Sequence, residues 1–141
     1  MAALASALLI TSSCVVASPD ADTYGDAAAA SLGTAVSEVA TVRTLLELLV
    51  SGDIQRPAVV TQLRYSEDAL AAASQGFSSL NPPVEKDKLS EQTGRVLDEA
   101  ETVVQDARVA VHRGEKADYR QIAQDLDDVG ARLEKLEASA S

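Results

Sequence analysis

The sequence predicts an all-α protein, an antiparallel up-down-up-down four-helix bundle. Three observations carry that expectation. Beyond residue 25, apolar residues recur in four stretches at alternating spacings of three and four, the signature of helices with one buried face. The alternating β-branched runs and Asn-Gly turns that mark strands are missing. Breaks of only a few residues separate the stretches, and connections that short make consecutive helices antiparallel neighbours.

The first element reads as an address. Met1 to Ala17 (MAALASALLITSSCVVA) carries no charged side chain. It is short for a spanning helix, which needs about 20 residues, and suits the apolar region of an export signal. No basic residue precedes it, so one reading places the natural start upstream of Met1. Val15 and Ala17 put small residues at −3 and −1 of a cut before Ser18. Alternatively, Ser12-Ser13-Cys14 after Leu8-Leu9-Ile10 resembles a bacterial lipobox, which makes Cys14 the lipid-attachment residue, although Thr11 stands where that motif takes Leu, Val or Ile. A third reading keeps residues 1–17 as an uncleaved anchor. Residues 18–25, with Pro19, Asp20 and Asp22, read as a linker, and the bundle is expected over residues 26–138.

The first helical stripe is Leu32, Ala35, Val39, Val42, Leu46 and Leu49. Ser51-Gly52-Asp53 ends it with a glycine just past the helix; Asp53 then reads as a helix start, with Pro57 tolerated in the first turn. The second stripe is Val59, Leu63, Ser66, Leu70, Ala73 and Phe77. Asn81-Pro82-Pro83 closes it, because proline lacks an amide donor and restricts its predecessor. The third runs through Leu89, Thr93, Val96, Ala100, Val103, Ala107 and Ala110, flanked by Leu97, Val104 and Val111, as far as Arg113-Gly114-Glu115. Asp118 and Gln121 resemble a capping box, and the fourth stripe is Tyr119, Ile122, Leu126, Val129, Leu133 and Leu136. Gly94 and Gly130 lie inside helices, where glycine costs about 1 kcal/mol relative to alanine. Close helix approach and a tolerated surface position are both open readings for them.

At an offset of 62 residues, Val42 matches Val104, Leu45 matches Ala107, Leu49 matches Val111, and Gly52-Asp53 matches Gly114-Glu115, which reads as two duplicated α-hairpins. The net charge of −10 divides evenly, −5 in Ser18–Asn81 and −5 in Pro82–Ser141. That split implies a uniformly acidic bundle with no concentrated site.

Composition excludes several classes of function. With 22 acidic residues against 12 basic ones, the chain is unsuited to nucleic acid, where affinity rests on cations meeting phosphates. One Cys rules out an internal disulfide and a four-thiolate zinc site; one His and one Met leave little to ligate haem, copper or di-iron. No cofactor or metal is expected. His112 sits in the last turn of its helix, where a cation or donor suits the C-terminal dipole. The acids Asp98-Glu99-Glu101 and Asp125-Asp127-Asp128 read as solvated faces, since residues one and three apart diverge around a helix. Glu67 and Asp68 have no nucleophile or oxyanion donor at a meaningful spacing, so the chain does not read as an enzyme. Tyr65 lies off the second stripe, which marks it as an exposed ring able to bind a partner.

The export segment ending in Ser12-Ser13-Cys14, the Ala/Val/Asp/Arg-rich composition, and the Ser51-Gly52-Asp53 and Arg113-Gly114-Glu115 turns resemble the small exported or lipoprotein helical proteins of high-GC Gram-positive (actinobacterial) bacteria. The resemblance implies export and tethering at the outer face of the cell membrane; it brings no functional residues with it. The expected function is a non-enzymatic interaction module or accessory subunit for another envelope or membrane protein. The alternative is a small-ligand carrier or sensor.

Overall fold

The structure, a computed structural model, describes residues 19–140, so Cys14 and the expected leader lie outside the described residues. Four helices follow one another: α1 (Ala21–Ser51), α2 (Arg56–Ser78), α3 (Asp87–Arg113) and α4 (Tyr119–Ala140), with one 3-10 turn at Val84–Lys86. There is no strand among the described residues. The chain is a four-helix bundle. Each helix packs on its two neighbours around the ring, and α1 also meets α3 across it.

Every neighbouring pair is tied by a named contact. Tyr24 at the start of α1 stacks at a tilt on Phe77 at the end of α2, with ring centroids 5.5 Å apart. Arg43 of α1 reaches Asp127 of α4 at 3.0 Å, Arg108 of α3 reaches Glu67 of α2 at 2.7 Å, and Arg132 of α4 pairs with Glu99 of α3. Ion pairs this exposed contribute at most about 1 kcal/mol each. The core supplies the stability: Leu32, Leu46, Leu63, Leu70, Leu97, Leu126 and Leu133 are essentially removed from water.

The four stripes expected from spacing are the buried faces, with differences at their edges. On α3 the buried line passes through Val104, while Val103 is only partly covered; Leu49, Ala73, Leu89 and Leu136 likewise sit at the rim. α1 begins five residues ahead of the expected bundle start and inside the expected linker. Asp20 caps it by accepting the Thr23 N–H at 2.8 Å, and Tyr24, Gly25 and Ala28 extend the buried face by a further turn. At the other end α4 continues to Ala140, two residues past the expected limit.

Gly52 and Gly114 both adopt left-handed backbone, with φ of +85° and +75°. In each turn the next residue's amide reaches back to the helix, Asp53 to the Leu48 carbonyl and Glu115 to the Ala110 carbonyl, both at 2.9 Å. Asp53 does not start α2. Its carboxylate accepts the Ser51 hydroxyl instead, and α2 starts at Arg56 after Gln55, with Pro57 in the first turn. The turns repeat at 62 residues, and at that offset buried Val42 and Leu45 match buried Val104 and Ala107; the longer run of the core matches at other offsets. Buried Leu32, Ala35, Val39 and Val42 correspond to Leu97, Ala100, Val104 and Ala107 at an offset of 65. Val59, Leu63 and Leu70 correspond to Ile122, Leu126 and Leu133 at 63. α1 therefore runs about one turn farther beyond its last shared core position than α3 does.

Candidate functional site

Folding reorders the charge. The −5/−5 split along the sequence suggests uniformity, but each hairpin spans both ends of the bundle, so that split carries no information about position along the axis. The Gly52 and Gly114 turns share one end, where Arg56 of α2 lies over Gly114. Cut at the cross-helix pairs Arg43–Asp127 and Arg108–Glu67, the turn end comprises residues 43–67 and 108–127, with seven basic residues and seven acidic ones, a net charge of zero. The remainder, with the start of α1 and the end of α4, carries the whole −10. The expectation of a uniformly acidic bundle is corrected: the net negative charge lies away from the turn end.

At the turn end, a groove of about 440 Å³ runs between the last turns of α1 and the start of α4. Its floor is Leu46 and Tyr119, with Ala123 beside them and Val50 at its mouth; Arg43, Glu47, Lys116 and Arg120 stand around it. The Tyr119 ring is 5 % exposed, and burial pushes its hydroxyl above the ordinary tyrosine pKa, opposed by Arg56 and reinforced by Glu115. Arg43 is shared between Glu47 and Asp127. Among the described residues, Arg56, Lys116 and Arg120 have no carboxylate within 4 Å, although the chain carries 22 acids.

A second groove follows the α3–α4 seam. One part, about 410 Å³, is lined by Asp98 and Glu99 of α3 and Asp125 and Asp128 of α4, together with Arg95 and Arg132. The next part, about 460 Å³, has Val96 and Leu136 at its base. The sequence placed these two acidic runs on separate solvated faces; the fold brings one side of each to a shared groove. They do not converge as ligands. Asp127 turns to Arg43 of α1, Asp125 accepts from Gln121 at 2.9 Å, Glu99 is paired with Arg132, and no group of three His, Cys, Asp or Glu among the described residues could hold a metal ion.

The remaining candidates are scattered. The Tyr65 ring is 62 % exposed on the outer face of α2. Glu67, two residues on and on another side of the helix, is half-buried with both oxygens 2.7 Å from Arg108 Nε, so it serves as a cross-helix ion pair. His112 is exposed in the last turn of α3. The buried hydroxyls of Tyr24, Ser66 and Thr93 have no hydrogen-bond partner among the described residues. Sequence reasoning missed the α1–α4 groove. Lys116, Arg120 and Val50 were in view, but nothing in their spacing says that the end of α1 meets the start of α4.

Among the described residues, no helix is long and apolar enough to cross a membrane. Compared with protein families, curated proteins and solved structures, the chain shows no significant match.

Proposed function

We propose that the chain is a non-enzymatic interaction module: a helical bundle tethered through its N-terminal segment at the outer face of the cell membrane, and an accessory subunit to another envelope or membrane protein. The observation that carries this reading is the axial charge polarity taken with the position of the leader. α1 starts at Ala21, so any tether through residues 1–18 joins the acidic end. A surface of anionic lipid repels that end, and the 31 residues of α1 hold the neutral turn end about 46 Å further out at 1.5 Å per residue. A partner in the envelope would then meet the turn end first.

The non-enzymatic part is supported by the employment of the carboxylates, which serve as helix cap, salt bridge or solvated surface. The carrier alternative has the Val96–Leu136 groove in its favour. That groove lies open to solvent, whereas the bundle interior is filled by Ala28, Ala35, Ala100, Leu126 and their neighbours.

The test is mass spectrometry of the full chain recovered from crosslinked cells. The reading expects a membrane-bound protein with a lipidated Cys14 or a Ser18 N-terminus, joined to one reproducible envelope neighbour. An unprocessed protein in the cytosolic fraction with no crosslinked neighbour would refute it.

A further inference from the structure

The turn-end groove places an exposed apolar side chain beside cations. Val50 is 70 % exposed at its mouth and continues into the covered Leu46 and Tyr119 floor, so apolar area is left in water beside cations. Lys116, in the turn before α4, and Arg120, in its first turn, line the groove with no carboxylate within 4 Å among the described residues, as is also true of Arg64, Lys86, Lys88 and Lys135. Of the acids nearest in sequence, Glu47 is on Arg43 and Glu115 lies 3.8 Å from Arg113. Cations thus flank an apolar strip at the end of the bundle that carries none of the net negative charge.

We propose that the α1–α4 groove docks a short acidic segment of a partner protein, with carboxylates on Lys116 and Arg120 and an apolar side chain against Val50 and Tyr119. This rests on the interaction-module reading and names the chemistry of its partner. Charge complementarity selects the sign of the occupant and speeds its encounter. The apolar floor selects its kind. A phosphate polymer would use the cations and leave Val50 in water, while a peptide alternating acidic and apolar residues satisfies both. The −10 remainder of the bundle repels such a segment elsewhere and restricts it to this end.

The experiment uses the full chain and fluorescein-labelled eight-residue peptides followed by anisotropy. An alternating Glu/Leu peptide is expected to bind, and to weaken as salt rises. Lys116→Glu with Arg120→Glu should reduce its affinity by about tenfold or more, and the exposed, fold-neutral pair Lys116→Gln with Arg120→Gln by a smaller factor in the same direction. Val50→Ser should reduce it by roughly threefold with the far-ultraviolet spectrum unchanged. A Glu/Ser peptide and inorganic polyphosphate should each bind several-fold more weakly. The proposal fails if the charge variants bind as the parent does, if Glu/Ser or polyphosphate equals Glu/Leu, or if the groove is occupied by a second copy of the chain in sedimentation. Photo-crosslinkers at Val50 and Tyr65 in cells separate the two readings. A neighbour captured from Tyr65 but not from Val50 keeps the module and removes this groove. Peptide binding with no captured neighbour at either position keeps the groove chemistry and removes the module.

Discussion

The two diagonals of the bundle are built differently. α1 and α3 approach across the ring, whereas no Cα pair of α2 and α4 comes within 8 Å among the described residues. The buried faces explain it. α1 and α3 present Ala28, Ala35, Ala100, Ala107 and Ala110 among larger residues such as Leu32, Leu46 and Leu97; α2 and α4 bury Leu63, Leu70, Phe77, Ile122, Leu126 and Leu133, with Ala140 their one buried alanine among the described residues. Helix separation follows the size of the side chains at the contact, so alanine closes one diagonal and leucine props open the other. The cross-section is a rhombus rather than a square. Small residues set spacing and large ones fill it, so the same stripe length does two jobs.

The most damaging way to break the wide diagonal is to charge it. Leu126→Asp places an unpaired carboxylate where 1 % of the residue meets water, and should cost more than about 4 kcal/mol and abolish the helical far-ultraviolet signal at ambient temperature. An unchanged urea midpoint would show that α4 does not face inward at Leu126. Next, Leu63→Ala or Leu133→Ala leaves a cavity that the alanine diagonal cannot collapse to fill, and should cost about 2–5 kcal/mol. The reverse change on the short diagonal, Ala35→Leu, should cost about 1–3 kcal/mol by forcing α1 from α3. If Ala35→Leu stabilises the bundle instead, the short diagonal has room to spare and the rhombus is wrong.

Much of this was legible before any coordinates. The stripes through Leu32–Leu46, Val59–Phe77 and Tyr119–Leu133 are the buried faces because a 3-4 spacing leaves a helix one side to bury. The first turn of α1 was missed because Pro19, Asp20 and Asp22 look like linker, although Asp20 is an N-cap and Tyr24-Ala28-Leu32 keeps the period. On α3 the spacing puts Val103 in the stripe with Val104 beside it, and packing buries Val104 instead. The alanines were visible as composition, but which helices form a diagonal is a property of the ring. The charge polarity and the Lys116–Arg120 groove were hidden for the same reason: sequence halves and bundle halves are different partitions of the chain.

Glycine sharpens the picture at the edge between diagonals. A Cβ on Gly25 would stand 2.6 Å from the Ala140 carbonyl oxygen, a backbone atom at the close meeting of α1 and α4. On Gly94 it would meet nothing within 4 Å. The same substitution should therefore have opposite signs. Gly94→Ala should stabilise by about 0.5–1 kcal/mol through helix propensity. Gly25→Ala should lose that gain and about 1 kcal/mol more, as α1 is pushed from α4. Thermal midpoints of the two variants decide it; two stabilised proteins would mean that Ala140 yields freely and the termini do not pack.

The smallest effects come from pH, and each diagonal carries its own probe at an opposite extreme. On α1, the hydrogen bonds from Thr23 hold the Asp20 carboxyl below the ordinary aspartate value of 3.8. The unfolded chain then binds the proton first, so the cap's contribution is complete above about pH 4 and is lost as pH falls through the lower, folded value. On α4, burial raises the Tyr119 hydroxyl above the ordinary 10.0, Arg56 works against that shift, and Glu115 adds to it. Here the folded state keeps the proton longer, so stability is unaffected below pH 10 and falls as pH rises beyond it. Asp20→Ala should flatten part of the acid limb, and Tyr119→Phe part of the alkaline limb, of a plot of urea midpoint against pH. Arg56→Ala should steepen the alkaline loss, because the opposing cation is gone. If Tyr119→Phe shifts the midpoint by the same amount at pH 7 and pH 11, the hydroxyl is not desolvated, and α4 opens toward the turn-end groove more than the buried ring implies.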